Sequence, residues 1–261
     1  MDEWRGKWAL VTGASAGIGL ALAEELAAGG ANLVLVARRR DRLEELATRL
    51  RSEHKVSVEV LPTDLTDRAA RETLFAATQK KGIAVDLLVN NAGFGAYGEF
   101  PQIPLERLFE MVEVNVSAVI HLTHLYLPPM IERGRGDVLF LSSTAAFQAV
   151  PYISAYAATK AFDLLFGEGL AEEMRPHGIR VCVLCPGSTV SEFHQVAGQP
   201  DFTKHRQENP RKVARTGLRA LTQGKSSVVS GFANWMGVVS QRLAPRKLVT
   251  RVAGGMFKPR E

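Results

Sequence analysis

The sequence predicts an α/β fold: a doubly wound parallel sheet of about seven strands with helices on both faces. Two observations predict it. Short β-branched runs alternate with stretches of helical periodicity through most of the chain. Those runs are apolar nearly throughout, as parallel strands covered on both faces must be. Right-handed crossovers then wind the chain in both directions from the middle of the sheet.

Residues 8–12 (WALVT) form a strand, followed by a helix at 17–28. The run NLVLVA at 32–37 is the next strand, and the charged stretch 41–51 is a helix. Residues 56–61, rich in valine, precede a helix at 67–80; residues 86–90 precede one long helix at 105–131. Residues 137–142 precede a second long helix at 153–175, and IRVCVLC at 179–185 closes the regular alternation. Beyond Gly187 the pattern loosens to a helix at 211–222 and a short strand at 226–229.

No repeat or linker divides the chain, so residues 1–261 read as one domain, with 200–261 a basic, amphipathic part forming a substrate lid or an interface. A composition of 46 % hydrophobic and 23 % charged residues excludes disordered, collagenous and membrane-spanning classes. Charge is uneven: residues 201–261 hold 13 Lys and Arg against 3 Asp and Glu, and the first 200 hold 19 against 24. The opening Met1-Asp2-Glu3-Trp4 lacks the apolar run of an export signal, and there is no disulfide framework, so a cytoplasmic location is expected. Cys182 and Cys185 stand three apart on a strand, where side chains point to opposite faces. They are expected to be buried thiols, not a redox pair.

Between the first strand and helix stands Thr12-Gly13-Ala14-Ser15-Ala16-Gly17-Ile18-Gly19. Glycines there let the backbone approach a pyrophosphate, and the helix N-terminus offers free N–H groups and a positive dipole end. The second strand ends Val36-Ala37-Arg38-Arg39-Arg40, with no carboxylate before Asp41. A carboxylate would hold the 2′-hydroxyl of NAD, whereas a guanidinium grips phosphate, so NADP(H) is the expected cofactor, read by Arg38 and Arg39. Tyr156 and Lys160 stand four apart, on one face of a helix. An ammonium beside a phenol is expected to pull its pKa from about 10 toward neutrality, fit for exchanging a proton with an alcohol or ketone. Ser143, at the carboxyl end of a strand, is placed to hold the substrate oxygen. His121 and His124 have no third ligand beside them, so no metal is expected.

Together these motifs resemble the short-chain dehydrogenase/reductase family in its simple, Rossmann-like form, over at least residues 7–190. NNAGFG at 90–95, YAATKAF at 156–162 and LCPG at 184–187 are similar more narrowly to its DltE-like bacterial branch. The resemblance implies hydride transfer between a nicotinamide and a small-molecule carbonyl or secondary alcohol. It implies that Tyr156 donates the proton, Ser143 holds the oxygen and Lys160 bonds the nicotinamide ribose. Asn115 completes a tetrad by anchoring a proton-relay water. Asn91, Ala92 and Gly93 flank the adenosine, Asp64, beside Leu65, bonds the adenine amine, and Pro186-Gly187 caps the nicotinamide. Thr189 or Ser191 bonds the carboxamide. The family's long helices commonly pair across a two-fold axis, which implies a homodimer or homotetramer.

Phe94, Ala145, Phe147, Val150, Pro151, Tyr152, Phe193 and Phe202 are expected around the nicotinamide, an apolar set suited to an apolar substrate. His194, on the same loop as Phe193, reads either as a substrate contact or, as a lone loop histidine more often is, as a solvent-facing residue. The tail interleaves apolar and basic residues at helical spacing and breaks at Pro245. Three readings compete for it: packing on a partner subunit or the substrate cleft, docking on an anionic membrane, and, weakest, nucleic-acid contact. The alternative to an enzyme is a non-catalytic NADP(H)-binding sensor or scaffold, which has no need for a Ser-Tyr-Lys-Asn set.

Overall fold

The computed structural model describes residues 2–199 and 207–259. Its strands are β1 (Trp8–Thr12), β2 (Asn32–Val36), β3 (Val58–Val60), β4 (Val85–Asn90), β5 (Gly136–Leu141), β6 (Ile179–Cys185) and β7 (Ser227–Val229). Its helices are α1 (Gly17–Ala28), α2 (Arg40–His54), α3 (Arg68–Lys80), α4 (Leu105–Val112), α5 (Ala118–Glu132), α6 (Ser154–Met174), α7 (Phe193–Ala197), α8 (Pro210–Thr222), α9 (Phe232–Gln241) and α10 (Arg246–Phe257). The sheet is parallel throughout, in the order β3-β2-β1-β4-β5-β6-β7. This is the doubly wound, Rossmann-like arrangement the alternation predicts.

Alternation along each strand sorts the core into two layers. Ala9, Val11, Leu33 and Leu35 pack with Leu22 and Leu26 of α1, Leu43 and Leu50 of α2, and Leu218 of α8. Leu10, Val34, Val138 and Phe140 pack with Leu74 of α3, Tyr126 of α5 and Leu164 of α6. Each fully buried leucine contributes about 1.5–3 kcal/mol of transfer free energy. The same alternation puts Cys182 in the first layer and Cys185 in the second, both free. Burial pushes each thiol up to about 12.

Two elements differ from the sequence reading. The long helix expected at 105–131 is α4 and α5, separated by a π-helical turn at Glu113–Ser117 that contains Asn115. Such a turn widens the helix by one residue, and periodicity does not reveal it. The second is α7, five residues long, too short for a 3.6-residue pattern to register.

The tail breaks where Pro245 predicts, between α9 and α10. It returns to the body: Ala253 is buried beside Val150, Ile153 and Tyr156, and the Tyr97 hydroxyl donates to the Phe257 carbonyl at 2.9 Å. Among the described residues no helix is long and apolar enough to cross a membrane.

Candidate active site

The carboxyl ends of β1, β2, β4, β5 and β6 border one cavity of about 660 Å³. Crossovers diverge on either side of the β1/β4 pair, and the crevice they leave is where such sheets hold ligands.

Glycine is a geometric requirement at the floor of the cavity. Gly13 has φ +68°, and a Cβ there would sit 2.7 Å from Asn91 Nδ2; a Cβ on Gly19 would sit 2.3 Å from the Gly13 carbonyl oxygen. Only residues without a Cβ let the turn close this tightly. No side chain caps α1, so its first N–H groups are left for a ligand beside Gly13, Ser15, Ala16, Gly17, Ile18 and Gly19, all on the cavity wall. Asn91 Nδ2 donates to the Thr12 carbonyl at 2.7 Å, and Thr12 Oγ1 accepts from the N–H groups of Asn91 and Ala92. These bonds tie the ends of β1 and β4 together and bring Asn91, Ala92 and Gly93 to the wall.

Arg38, Arg39, Asp64 and Leu65 form the far wall. Burial raises the Asp64 carboxyl, but bonds from the Thr66 N–H and hydroxyl, with Arg38 nearby, outweigh it and hold the pKa below its ordinary value. Arg39 donates to Ser15 Oγ at 2.9 Å and to Glu192 at 2.7 Å; Arg42 reaches the other oxygen of Glu192 at 2.6 Å. Arg38 is exposed and forms no ion pair among the described residues.

At the opposite end Ser143, Tyr156 and Lys160 converge. The Ser143 hydroxyl accepts from the Ala145 N–H at 3.1 Å and acts on the phenol to lower its pKa. Lys160 Nζ donates to the Leu141 carbonyl and to Asp163 Oδ2, both at 2.8 Å. The expected fall of the Tyr156 pKa is corrected: burial pushes the phenol above its ordinary value, Lys160 and Ser143 pull it down by less, and Asp163 adds to the rise. Sequence reading passed over Asp163 because a lone acid on a helix gives no signal.

Asn115 lies beside this cluster but not on the cavity wall. Its Oδ1 accepts from the Phe94 N–H, and its Nδ2 donates to the Phe94 carbonyl and Thr159 Oγ1. A Cβ built on Gly93 would lie 3.1 Å from Asn115 Oδ1 and 3.4 Å from Lys160 Nζ, so that glycine is what lets the two approach. Pro186, Gly187, Thr189 and Ser191 all line the cavity. Thr189 Oγ1 donates to the Gly187 carbonyl and Ser191 Oγ to the Thr189 carbonyl.

Of the expected substrate neighbours, Phe94, Ala145, Val150 and Phe193 line the cavity, and Phe193 stacks at a tilt 5.1 Å from the Tyr156 ring. Phe147, Pro151 and Tyr152 do not line it. Phe147 packs into the second core layer, and Tyr152 sits at φ +67° with its carbonyl accepting from the Gly98 N–H. Phe202 lies outside the described residues. His194 lies on the wall rather than facing solvent, its Nε2 3.1 Å from Ser188 Oγ. Glu192, Gln148, Met256 and Phe257 also line the cavity, the last two from α10. No group of three potential metal ligands occurs among the described residues.

Residues 7–201 match the family model described as short chain dehydrogenase. The chain is 30 % identical over 250 residues to a very-long-chain 3-oxoacyl-CoA reductase of Bos taurus, covering 90 % of this chain and 78 % of that one. It is 33 % identical over 212 residues to a 7beta-hydroxysteroid dehydrogenase of Clostridium sardiniense, covering 81 % and 77 %. Its structure is similar to that of a short-chain dehydrogenase from Sphingobium yanoikuyae in complex with NADPH, with a TM-score of 0.82, 32 % identity and 91 % and 94 % of the two chains covered. With its sheet order, glycine turn and Tyr-Lys pair, this chain belongs to the short-chain dehydrogenase/reductase family of oxidoreductases.

Proposed function

We propose that the protein is an NADP(H)-dependent oxidoreductase that interconverts bulky apolar ketones and secondary alcohols. One observation carries the reading: Tyr156 and Ser143 both line the apolar end of the cavity whose other end holds the glycine turn and an unpaired Arg38. The glycine turn fits a dinucleotide, because the missing Cβ atoms at Gly13 and Gly19 let it close against Asn91 while the uncapped N-terminus of α1 opens onto the cavity. Gly13 to Gly19 would hold the pyrophosphate, Arg38 and Arg39 the ribose phosphate, and Asp64, Leu65 and Asn91 to Gly93 the adenosine. Pro186, Gly187 and Thr189 or Ser191 would hold the nicotinamide, which supplies the hydride when bound.

The chain's own groups position and protonate. Tyr156 donates its proton to the substrate oxygen, and Ser143 hydrogen-bonds that oxygen as charge develops. An ammonium has three N–H donors, and Leu141 and Asp163 take two from Lys160. The third is left for a ribose hydroxyl. Asn115 is a positioning residue that fixes the Phe94 backbone beside them. Phe94, Val150, Phe193, Met256 and Phe257 support an apolar substrate, and the names of the two relatives fit that class. The α10 residues at the mouth support the tail as a lid. Exposed Phe109, Val112, Ile120 and Leu165 on α4, α5 and α6 support pairing with a second copy. The two unpaired thiols fit a reducing, cytoplasmic compartment.

NADPH consumption measured over ketones of graded chain length tests this reading. Activity rising with chain length, and lost by about 10²- to 10⁴-fold in Tyr156→Phe with nucleotide binding intact, is expected. Tight NADPH binding with no turnover on any ketone would support the sensor alternative instead.

A further inference from the structure

An amphipathic helix on a water-soluble domain turns its apolar face inward. The helix α9 does the reverse. Val238 is buried and Asn234 bonds inward to Glu208 and the Ser230 carbonyl. Phe232, Trp235, Met236 and Val239 fall within an arc of about 100° on the other side, and Leu243 follows just past the helix end. All five are exposed, Phe232 by 76 % and Leu243 by 87 %. On α10, Ala253 is buried while Leu248, Val252 and Met256, at successive steps of four, form a second exposed stripe. Isolated apolar residues on a surface need no explanation, but a set this concentrated marks a contact.

Charge decides the kind of partner. No Asp or Glu occurs from Asn209 to Pro259. Arg242, Arg246, Lys247, Arg251 and Lys258 lie among the apolar residues, all exposed and none in an ion pair among the described residues. A two-fold contact would set this face against its own copy, bringing these cations together with no carboxylate between them. Nucleic acid would answer the cations but leave Leu243, Leu248 and Val252 without a partner, since bases stack on aromatic rings. An anionic bilayer answers both, because its headgroups neutralise the cations while the acyl boundary accepts the apolar side chains.

We propose that the outer face of α9 and α10 docks on an anionic lipid surface. Docking brings the cavity mouth to the membrane, since Met256 belongs both to the exposed stripe and to the cavity wall. An apolar substrate can then enter from lipid without crossing water. The proposal rests on surface residues and does not depend on the cofactor or the reaction.

The test is co-sedimentation of the full chain with vesicles of phosphatidylcholine alone and of equimolar phosphatidylcholine and phosphatidylglycerol, with intrinsic Trp235 fluorescence as a second readout. The expected result is binding to the anionic vesicles only, weakened by salt, with a blue shift that Trp235→Phe removes. At about fivefold per basic residue near a charged surface, Arg246→Gln/Lys247→Gln/Arg251→Gln lowers partitioning by about a hundredfold. Phe232→Ser/Leu243→Ser removes the salt-resistant fraction. Unchanged thermal unfolding and NADPH binding show that the variants fold. Equal partitioning of wild type and both variants overturns the proposal. So does conversion of an oligomer to monomer in Phe232→Ser/Leu243→Ser on gel filtration, which would make a second copy the occupant.

Discussion

Lys160 Nζ lies 2.8 Å from Asp163 Oδ2, three residues on along α6, and both side chains are buried. The ammonium that acts on Tyr156 is therefore also half of an ion pair. Around it stand Tyr156 and Asp163 from α6, the Leu141 carbonyl and Ser143 from the end of β5, and Cys185 from β6. The other oxygen of Asp163 is buried without a hydrogen-bond partner. Breaking one side of a buried pair leaves the other uncompensated.

Asp163→Asn is expected to move the rising, acid-side limb of alcohol oxidation to lower pH. Oxidation needs the phenolate, and burial, with Asp163 adding, holds the phenol above its ordinary value. Removing the negative charge leaves the pull of Lys160 less opposed, so the phenolate forms at lower pH. The check is a kcat profile against pH at saturating cofactor for both proteins. A limb that stays in place or moves upward sinks this account, whereas a purely structural role for Asp163 would change amplitude without moving the limb.

Arg38→Asp is expected to shift preference from NADPH toward NADH by about 10- to 100-fold, the worth of charge-assisted hydrogen bonds to one phosphate. Ratios of kcat/KM for the two cofactors measure it. Arg39 is a poorer target, because it already holds Ser15 and Glu192.

Gly19→Ala is expected to destabilise the fold by about 1–3 kcal/mol, as overpacking does, because the new methyl would meet the Gly13 carbonyl at 2.3 Å. Chemical denaturation gives the loss. Nucleotide affinity, read by titration with NADPH, should fall with it, since the same turn forms the cradle.

Neither cysteine should react with a thiol reagent in the native protein at about pH 8, near the ordinary thiol pKa of ~8.5. Burial raises both to about 12, so each stays protonated until the pH approaches that value. The unfolded chain should take up two equivalents, matching its two cysteines. Labelling of native protein at either site would contradict the burial described.

Much of the molecule was legible because it is local. The run of apolar residues in β1 and the glycines that follow it dictate a strand, a turn and a helix whatever the rest of the chain does. The four-residue step from Tyr156 to Lys160 sets them on one helix face, and α6 delivers both to the cavity. Other features depend on which distant segments meet. Asp163 matters because β5 and β6 close over α6, and Glu192 because its loop folds against Arg39 and Arg42. Phe147 and Tyr152 read as substrate neighbours from their place in the chain, yet packing turned one into the core and backbone conformation kept the other off the wall. The tail's spacing predicted two amphipathic helices, but which face stays bare depends on how α9 and α10 seat against Gly187 and Pro151. Periodicity specifies a helix and its two faces; only long-range contact decides which face is buried and what shares its cavity.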